Sequence, residues 1–330
     1  MLDLEVIGDA DRLIEIRDEW FSFAQTIKGL TPFQLPHWLL MWWSHFGNGN
    51  LHVLVFRHLN RIAAVIPCFR HEWNGRRQLT LIGSGISDYL EPAISSEHVP
   101  DILDGIQSHL ASDPNWDMCD WQDLSGDTPL KRVTSSATLQ AVLREDTVCT
   151  EIPISGGFEE FWRSLPKQLR QNCRRDKRRA ETTGTLEFGT TQHVDPELLN
   201  ALIHLHGARW HRSGETGVIA QNRAADFLRD IAVEFANLGI LQFFTLRIER
   251  ELVAILLCFL YANTVFFYLS GFDPERETLG VGRLLLWEAL RYCFQKEYSS
   301  WNFLRGTEDY KFQWGAQATS KCRLIVTNTK

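Results

Sequence analysis

Apolar residues in this chain come in short strand-length runs, paired across polar turns. Leu51–Phe69 reads L-H-V-L-V-F-R-H-L-N-R-I-A-A-V-I-P-C-F, and Leu241–Phe259 reads L-Q-F-F-T-L-R-I-E-R-E-L-V-A-I-L-L-C-F. The two align without a gap at a constant spacing of 190 residues, with Leu51/Leu241, Arg57/Arg247, Ala64/Ala254, Cys68/Cys258 and Phe69/Phe259 identical. Each copy predicts strand, polar turn, strand. The parallel continues through strands at Gln78–Gly83 and Val265–Leu269, helices at Val99–Leu110 and Gly282–Lys296, and strands at Trp116–Leu124 and Ser299–Leu304. Agreement in element order over such a length predicts two copies of one α/β unit.

Leu252–Phe272 carries no charge and is long enough to span a membrane. Its Asn263-Thr264 turn and its β-branched and aromatic residues instead predict two buried strands of a hairpin. Helices are expected at Phe158–Leu165 and Gln168–Thr182, broken by Pro166, and at Pro196–Arg212 and Arg223–Leu238. His37-Trp38-Leu39-Leu40-Met41-Trp42-Trp43 reads as a core helix. The stretch Asp127–Arg144 is polar, with a short helix expected at Thr138–Arg144. A boundary near Glu145–Thr150 divides residues 1–148 from residues 149–330.

A length of 330 residues suits two domains, and 44% apolar content supplies their cores. The net charge of −7 gives no overall attraction to nucleic acid or anionic membrane. Seven cysteines form an odd set without a C-x-x-C, which is neither a disulfide framework nor a zinc site. The acidic start Met1-Leu2-Asp3-Leu4-Glu5 has no signal-peptide core, so a cytoplasmic protein with no membrane span is expected. Ser-His-Asp, P-loop lysine and metalloprotease motifs are absent.

Candidate chemistry gathers between Val265 and Gly315. A strand at Val265–Leu269 leads through a polar loop to Gly280-Val281-Gly282, where an apolar-faced helix begins. A helix start preceded by glycine exposes backbone N–H groups suited to a pyrophosphate. The first copy has no glycine pair opening a helix after Gly83-Ser84-Gly85-Ile86-Ser87-Asp88. A donor site is therefore expected in the second copy alone, with the first copy serving the acceptor side. It is not a dinucleotide fingerprint, since Leu285 stands at the third glycine position.

These residues resemble the GNAT acyltransferase superfamily, and more closely its CelD-like branch, related to the Fem-type peptidyltransferases. Glu277-Thr278-Leu279-Gly280-Val281-Gly282 keeps both glycines of the Q/R-x-x-G-x-G/A signature and departs from it at the first position. Gly306-Thr307-Glu308-Asp309-Tyr310-Lys311-Phe312-Gln313-Trp314-Gly315 resembles that branch's G-x-x-x-Y-K-x-x-W-G close. The resemblance covers most of Thr150–Gly315. It implies a tandem GNAT-like α/β fold, with two mixed, mostly antiparallel sheets flanked by helices. It also implies transfer of an acyl group from acyl-CoA, acetyl-CoA first, to an amine or hydroxyl of a sugar or small metabolite, with a link to exopolysaccharide production.

The resemblance also implies roles for individual residues. Gly280, Val281, Gly282, Arg283 and Leu284 would hold the pyrophosphate. The strand edge with Leu269 and Gly271 would hold the pantetheine arm. Lys311 and Tyr310, in the loop after the last strand, would be catalytic, with Lys311 stabilising charge at the reacting carbonyl. Asp88 would manage the acceptor's proton. Tyr89, Arg209, Trp210 (with Gly214 following) and Trp314 would line the acceptor pocket.

Lys167, Arg170, Arg174, Arg175, Lys177, Arg178 and Arg179 crowd one helix against the single acid Asp176. Such a run is either a solvated face or a contact for a polyanion: a tRNA, a nucleotide-sugar or the CoA 3′-phosphate. No aromatic interleaves it, so no specific nucleic acid is expected. His204 and His206 point apart on a helix, His211 adds no ligand set, and no metal is expected. Two rival functions remain. One is a Fem-type transferase using aminoacyl-tRNA. The other is a non-catalytic binding protein, for which Glu277, and Asn302 where relatives carry Asp, speak.

Overall fold

The computed structural model describes residues 2–212 and 222–329, with side chains left out at 209–212. The chain divides into Met1–Thr147 with Ser320–Lys330, and Val148–Thr319. The first unit contains β1 (Leu2–Ile7), α1 (Ala10–Glu15), α2 (Arg17–Ala24), α3 (Pro36–Phe46), β2 (Asn50–Leu51), β3 (Val53–His58) and β4 (Arg61–Ile66). It continues with β5 (Cys68–Trp73), β6 (Arg76–Leu81), β7 (Ala93–Ile94), α4 (Val99–Ser112) and β8 (Met118–Ser125). β9 (Leu139–Pro153) leads into the second unit. There follow α5 (Phe158–Ser164), α6 (Lys167–Glu181), β10 (Leu186–Thr191), α7 (Pro196–Arg212), α8 (Asn222–Asn237), β11 (Leu241–Ile248) and β12 (Glu251–Tyr261). The unit ends with β13 (Thr264–Phe272), α9 (Val281–Gln295), β14 (Ser300–Arg305) and α10 (Asp309–Gln313). β15 (Gln317–Asn328) then returns to the first unit.

The fold is α/β, with mixed, mostly antiparallel sheets flanked by helices. Within the second unit the strand order is β10-β11-β12-β13-β14-β9. Within the first, one group runs β1-β3-β4-β7 and another β15-β8-β6-β5-β2. The expected helix at Thr138–Arg144 is instead the start of β9. Val142, Thr147, Val148, Thr150 and Ile152 are β-branched and favour a pleated surface.

The internal repeat extends to strand register. β3 and β4 pair Leu54 with Ile66 and Phe56 with Ala64, then slip by one between Phe56 and Arg57. β11 and β12 pair Phe244 with Leu256 and Leu246 with Ala254, then slip between Leu246 and Arg247. These are the same pairs moved along by the sequence spacing. Both turns, Leu59-Asn60 and Glu249-Arg250, have two successive positive φ angles, as a two-residue hairpin matching the strand twist requires. Each copy also has one parallel pair, β6 with β8 and β13 with β14, joined through a helix.

The copies part at one residue. Pro67 has no N–H for a ladder, and it splits the strand into β4, which pairs with β3 and β7, and β5, which pairs with β6 and β2. Leu257 stands at the matching place, so β12 continues. The register of β12 against β13 slips there instead, between Leu257 and Cys258. The charge-free run Leu252–Phe272 is this β12–β13 hairpin, turning at Ala262-Asn263. Among the described residues no helix is long and apolar enough to cross a membrane.

One apolar face of α9 (Leu284, Leu285, Ala289, Leu290, Cys293) is buried in the second core with Phe244, Leu256 and Val265. α4 (Ile102, Ile106, Leu110) does the same in the first with Leu54, Ile66 and Trp121. All seven cysteines are free and buried. Burial pushes the Cys173 thiol up to about 12 and also raises Cys68, Cys119, Cys258, Cys293 and Cys322, so these six act as packing rather than as nucleophiles.

Glu91 carries a stability signature of the first unit. Its carboxylate accepts from Ser125 N at 2.9 Å and Thr128 Oγ1 at 2.5 Å, and burial pushes its pKa up from 4.5 to about 7. A folded-state value above the unfolded one means the contribution is fully present below pH 4.5 and is lost as pH rises through about 7. Glu91→Gln is expected to flatten this fall, raising stability at pH 8 by up to about 3 kcal/mol relative to the parent. Thermal unfolding across pH 4–8 checks it, and identical profiles for the two proteins would count against it.

Candidate active site

β13 and β14 pair only over Thr264–Phe266 against Ser300–Asn302. Past that point no ladder joins them, and β13 borders a cavity of about 240 Å³. Its wall includes Phe267 and Gly271 from β13, Gly282 and Arg283 from α9, and Tyr310 and Trp314 from α10 and its end. Every residue lining it belongs to the second unit.

The start of α9 explains why glycine stands there. Gly280 sits in the left-handed region (φ 67°), closing a 3-10 turn over Pro274–Leu279 and capping α9. A side chain would strain this backbone and would also collide with the Asp176 carboxylate. Gly280 gives α9 no side-chain cap, and first-turn N–H groups left without such a cap are what an anion site would use. Gly282 has more room, since a Cβ there would meet only the Phe272 ring at 3.4 Å.

Two expected donor residues move out of the cradle. Leu284 donates its N–H to Gly280 O at 3.0 Å and buries its side chain in the core, so it offers nothing to a phosphate. Leu269 is buried opposite Leu257 and does not line the cavity. The β13 edge is also less open than expected. His206 Nδ1 lies 2.9 Å from Ser270 O, and a Cβ on Gly271 would lie 2.7 Å from Leu205 Cβ and 2.9 Å from His206 N. Here α7 packs directly on β13. His204 is exposed and His206 buried, so the two do point apart.

Lys311 lies in α10 rather than in a loop, and it is buried. Its ammonium donates to Arg305 O (2.7 Å) and Gly306 O (3.3 Å) and pairs with Glu308 Oε2 (2.9 Å). An ammonium has three donors, and here all three are engaged. Lys311 is not among the cavity-lining residues, whereas its neighbour Tyr310 is. Tyr310 packs edge-on against Phe303 at 5.9 Å, and Trp314 is buried 6.3 Å from Trp162.

Sequence reasoning passed over Asp176. Leu169, Cys173, Asp176 and Ala180 form the buried face of α6, and an acid within that apolar stripe was the available signal. Asp176 is 2% exposed, and Arg283 Nη1 donates to its Oδ2 at 2.5 Å. Arg175 Nε lies 3.5 Å from its other oxygen. The outer face of α6 borders an open groove of about 760 Å³ lined by Arg174, Arg175, Lys177, Arg178 and Trp287. Trp287 stacks on Trp162 at 5.1 Å, with the Lys177 ammonium 5.6 Å from its ring. An aromatic therefore does accompany the basic run. It was not visible there because α9 supplies it.

Asp88 and Tyr89 belong to the first unit. The Tyr89 ring stacks with Phe33 at 6.4 Å and lies under the buried Lys321 ammonium at 3.2 Å. The side chains of Arg209 and Trp210, and all of Gly214, lie outside the described residues. Among the described residues, His52, His109 and Asp113 form a cluster with metal-ligand geometry. Arg70 already donates to Asp113 and sits 3.2 Å from His52 Nε2, so a cation takes that space. Burial, with Arg70 beside it, holds His52 down to about 4.

Residues 167–312 match the family described as acetyltransferase (GNAT) domain, a span that contains the cavity-lining residues of α9 and β13. Solved structures of similar fold include FemX, at 10% identity and a TM-score of 0.68, covering 97% of this chain and 96% of that one. A conserved protein of unknown function from Bacteroides thetaiotaomicron VPI-5482 is similar at 11% identity and a TM-score of 0.61, covering 99% of this chain and 100% of that one. At such identities the likeness is one of fold. No curated protein matches the chain.

Proposed function

We propose that this protein is an acyltransferase whose second unit holds an acyl thioester and passes the acyl group to an amine or hydroxyl. The observation that carries the reading is one cavity on which the glycine-led start of α9, the stretch of β13 beyond its β14 pairing and Tyr310 converge. Acyl-CoA, acetyl-CoA first, is the donor that suits it, with the thioester end among Phe267, Gly271 and Trp314 and the diphosphate at Val281, Gly282 and Arg283. The acceptor's lone pair attacks the thioester carbonyl carbon. The new C–N or C–O bond forms as the C–S bond breaks, and the acceptor's proton ends on the departing sulfur. No covalent enzyme intermediate is invoked, because the unit's cysteines are buried, and burial raises the thiols of Cys173, Cys258 and Cys293.

Tyr310, on the cavity wall, is the residue we assign to pass its hydroxyl proton to the leaving sulfur and to take the acceptor's proton in exchange. Lys311 acts on Tyr310's position through α10. The Gly306–Gly315 close supports a CelD-like assignment with a saccharide or small-metabolite acceptor. A cytosolic setting suits seven cysteines that form no disulfide. Tyr310→Phe is expected to lower kcat by about 10²-fold with little change in donor Kd. Thiol release from acetyl-CoA with an amine acceptor measures it, and an unchanged kcat would remove Tyr310 from the reaction.

A second reading, an aminoacyl-tRNA donor, is favoured by the basic groove beside Trp287. Titration with acetyl-CoA and with charged tRNA separates the two. Submicromolar tRNA binding that Arg174→Ala with Arg178→Ala abolishes would install the second reading.

A further inference from the structure

We infer that Asp176 is an internal competitor for the donor's phosphates, and that its pairing with Arg283 sets how strongly the second unit discriminates among donors by their charge. The inference rests on the acyl-thioester reading of the cavity and adds a specificity-determining residue to it.

Three observations meet at this carboxylate. It is buried on the apolar face of α6, where Leu169, Cys173 and Ala180 are its companions. It abuts Gly280, the cap of α9, closely enough to forbid a side chain there. It also holds Arg283 at 2.5 Å, and Arg283 is at once a wall residue of the cavity and the cation nearest the uncapped first turn in sequence. A carboxylate beside a helix start is itself stabilised by the N–H dipoles. The cradle therefore has an anion of its own.

An incoming diphosphate meets a like charge at the first turn and a guanidinium already engaged. It gains full use of Arg283 only by sharing that cation with Asp176. A guanidinium has five N–H donors and can serve two anions, so sharing is feasible while the repulsion persists. Arg175 at 3.5 Å offsets part of the charge of Asp176, and Glu277 in the preceding turn adds to the negative side. The uncharged pantetheine arm is indifferent to all of this. Asp176 therefore weakens the phosphate contribution to donor affinity and leaves the thioester contribution intact.

The test uses calorimetry on the full chain with three probes: inorganic pyrophosphate, CoA and pantetheine. Asp176→Asn keeps the shape and removes the charge. Asp176→Ser is a second variant with less volume against Gly280, and melting curves confirm that each is folded. Pyrophosphate and CoA are expected to bind at least about tenfold more tightly to the variants than to the parent, with pantetheine unchanged. In the parent, inorganic pyrophosphate alone is expected to bind more weakly than about 1 mM. Unchanged or weaker pyrophosphate binding in folded variants overturns the inference. So does submillimolar pyrophosphate binding to the parent, which needs no variant. Failure of the thioester reading looks different: neither pantetheine nor CoA binds any of the proteins, whatever pyrophosphate does.

Discussion

Replacing Lys311 with alanine is expected to lower kcat/KM by about 10²–10³-fold and to lower the melting temperature at the same time. The ammonium is buried and divides its donors among Arg305 O, Gly306 O and Glu308. Removing it leaves two half-buried carbonyls without this donor, at up to about 1–3 kcal/mol each. For a unit of this size that is a drop of several degrees. The Arg305–Glu308 turn is then free to move, and with it α10 and Tyr310 on the cavity wall. Activity and stability should fall together, because one displacement causes both. If the melting temperature holds while kcat alone collapses, Lys311 acts at the reacting carbonyl itself, the role first implied by its place in the Tyr-Lys pair.

Gly282→Asp is expected to leave the fold intact and to weaken CoA binding by more than about 100-fold. A Cβ at 282 meets nothing closer than the Phe272 ring at 3.4 Å, and an acid in the first turn of α9 favours the helix by its dipole. The melting temperature should stay level or rise while calorimetric CoA binding disappears. Ordinary helix substitutions that damage a site also damage the fold, so this opposition of signs is diagnostic. Undiminished affinity in the folded variant would move the donor's phosphates away from α9. Gly280 offers no such experiment, because its left-handed backbone and the Asp176 carboxylate both exclude a side chain.

The repeat was legible in the sequence because strand pairing follows spacing. Arg57 and Arg247 align in sequence, and each stands just after the slip in its hairpin. The glycines at 280 and 282 were legible for a similar reason, since a turn that opens a helix needs few residue types. What could not be read depends on contacts far apart in the chain. β15 alternates Cys322, Leu324 and Val326 into the core, but that pattern does not name its distant partner β8, which pairs Leu324 with Trp121 and Val326 with Cys119. Trp287 reaches the basic groove from another helix, and His206 reaches Ser270 from α7. Lys311 looked like a loop cation because its acceptors are backbone carbonyls, which every residue has. Asp176 was the one readable omission, an acid at a core position of a helix otherwise read only for its positive charge.

The return of β15 bears on how the chain comes to be folded during synthesis. Ser320–Lys330 completes the first unit, yet the ribosome makes it only after the whole of Val148–Thr319. Domains ordinarily fold in the order in which they emerge. Here the N-terminal unit must wait with β8 lacking its β15 neighbour, while the contiguous second unit can close first. An unpaired strand edge of this kind is where a nascent chain is most exposed to association with its neighbours. The unit built from the earlier residues is thus completed after the later one, and a chain stopped after Gly315 would have the cavity's residues and lack the strand that completes the first unit.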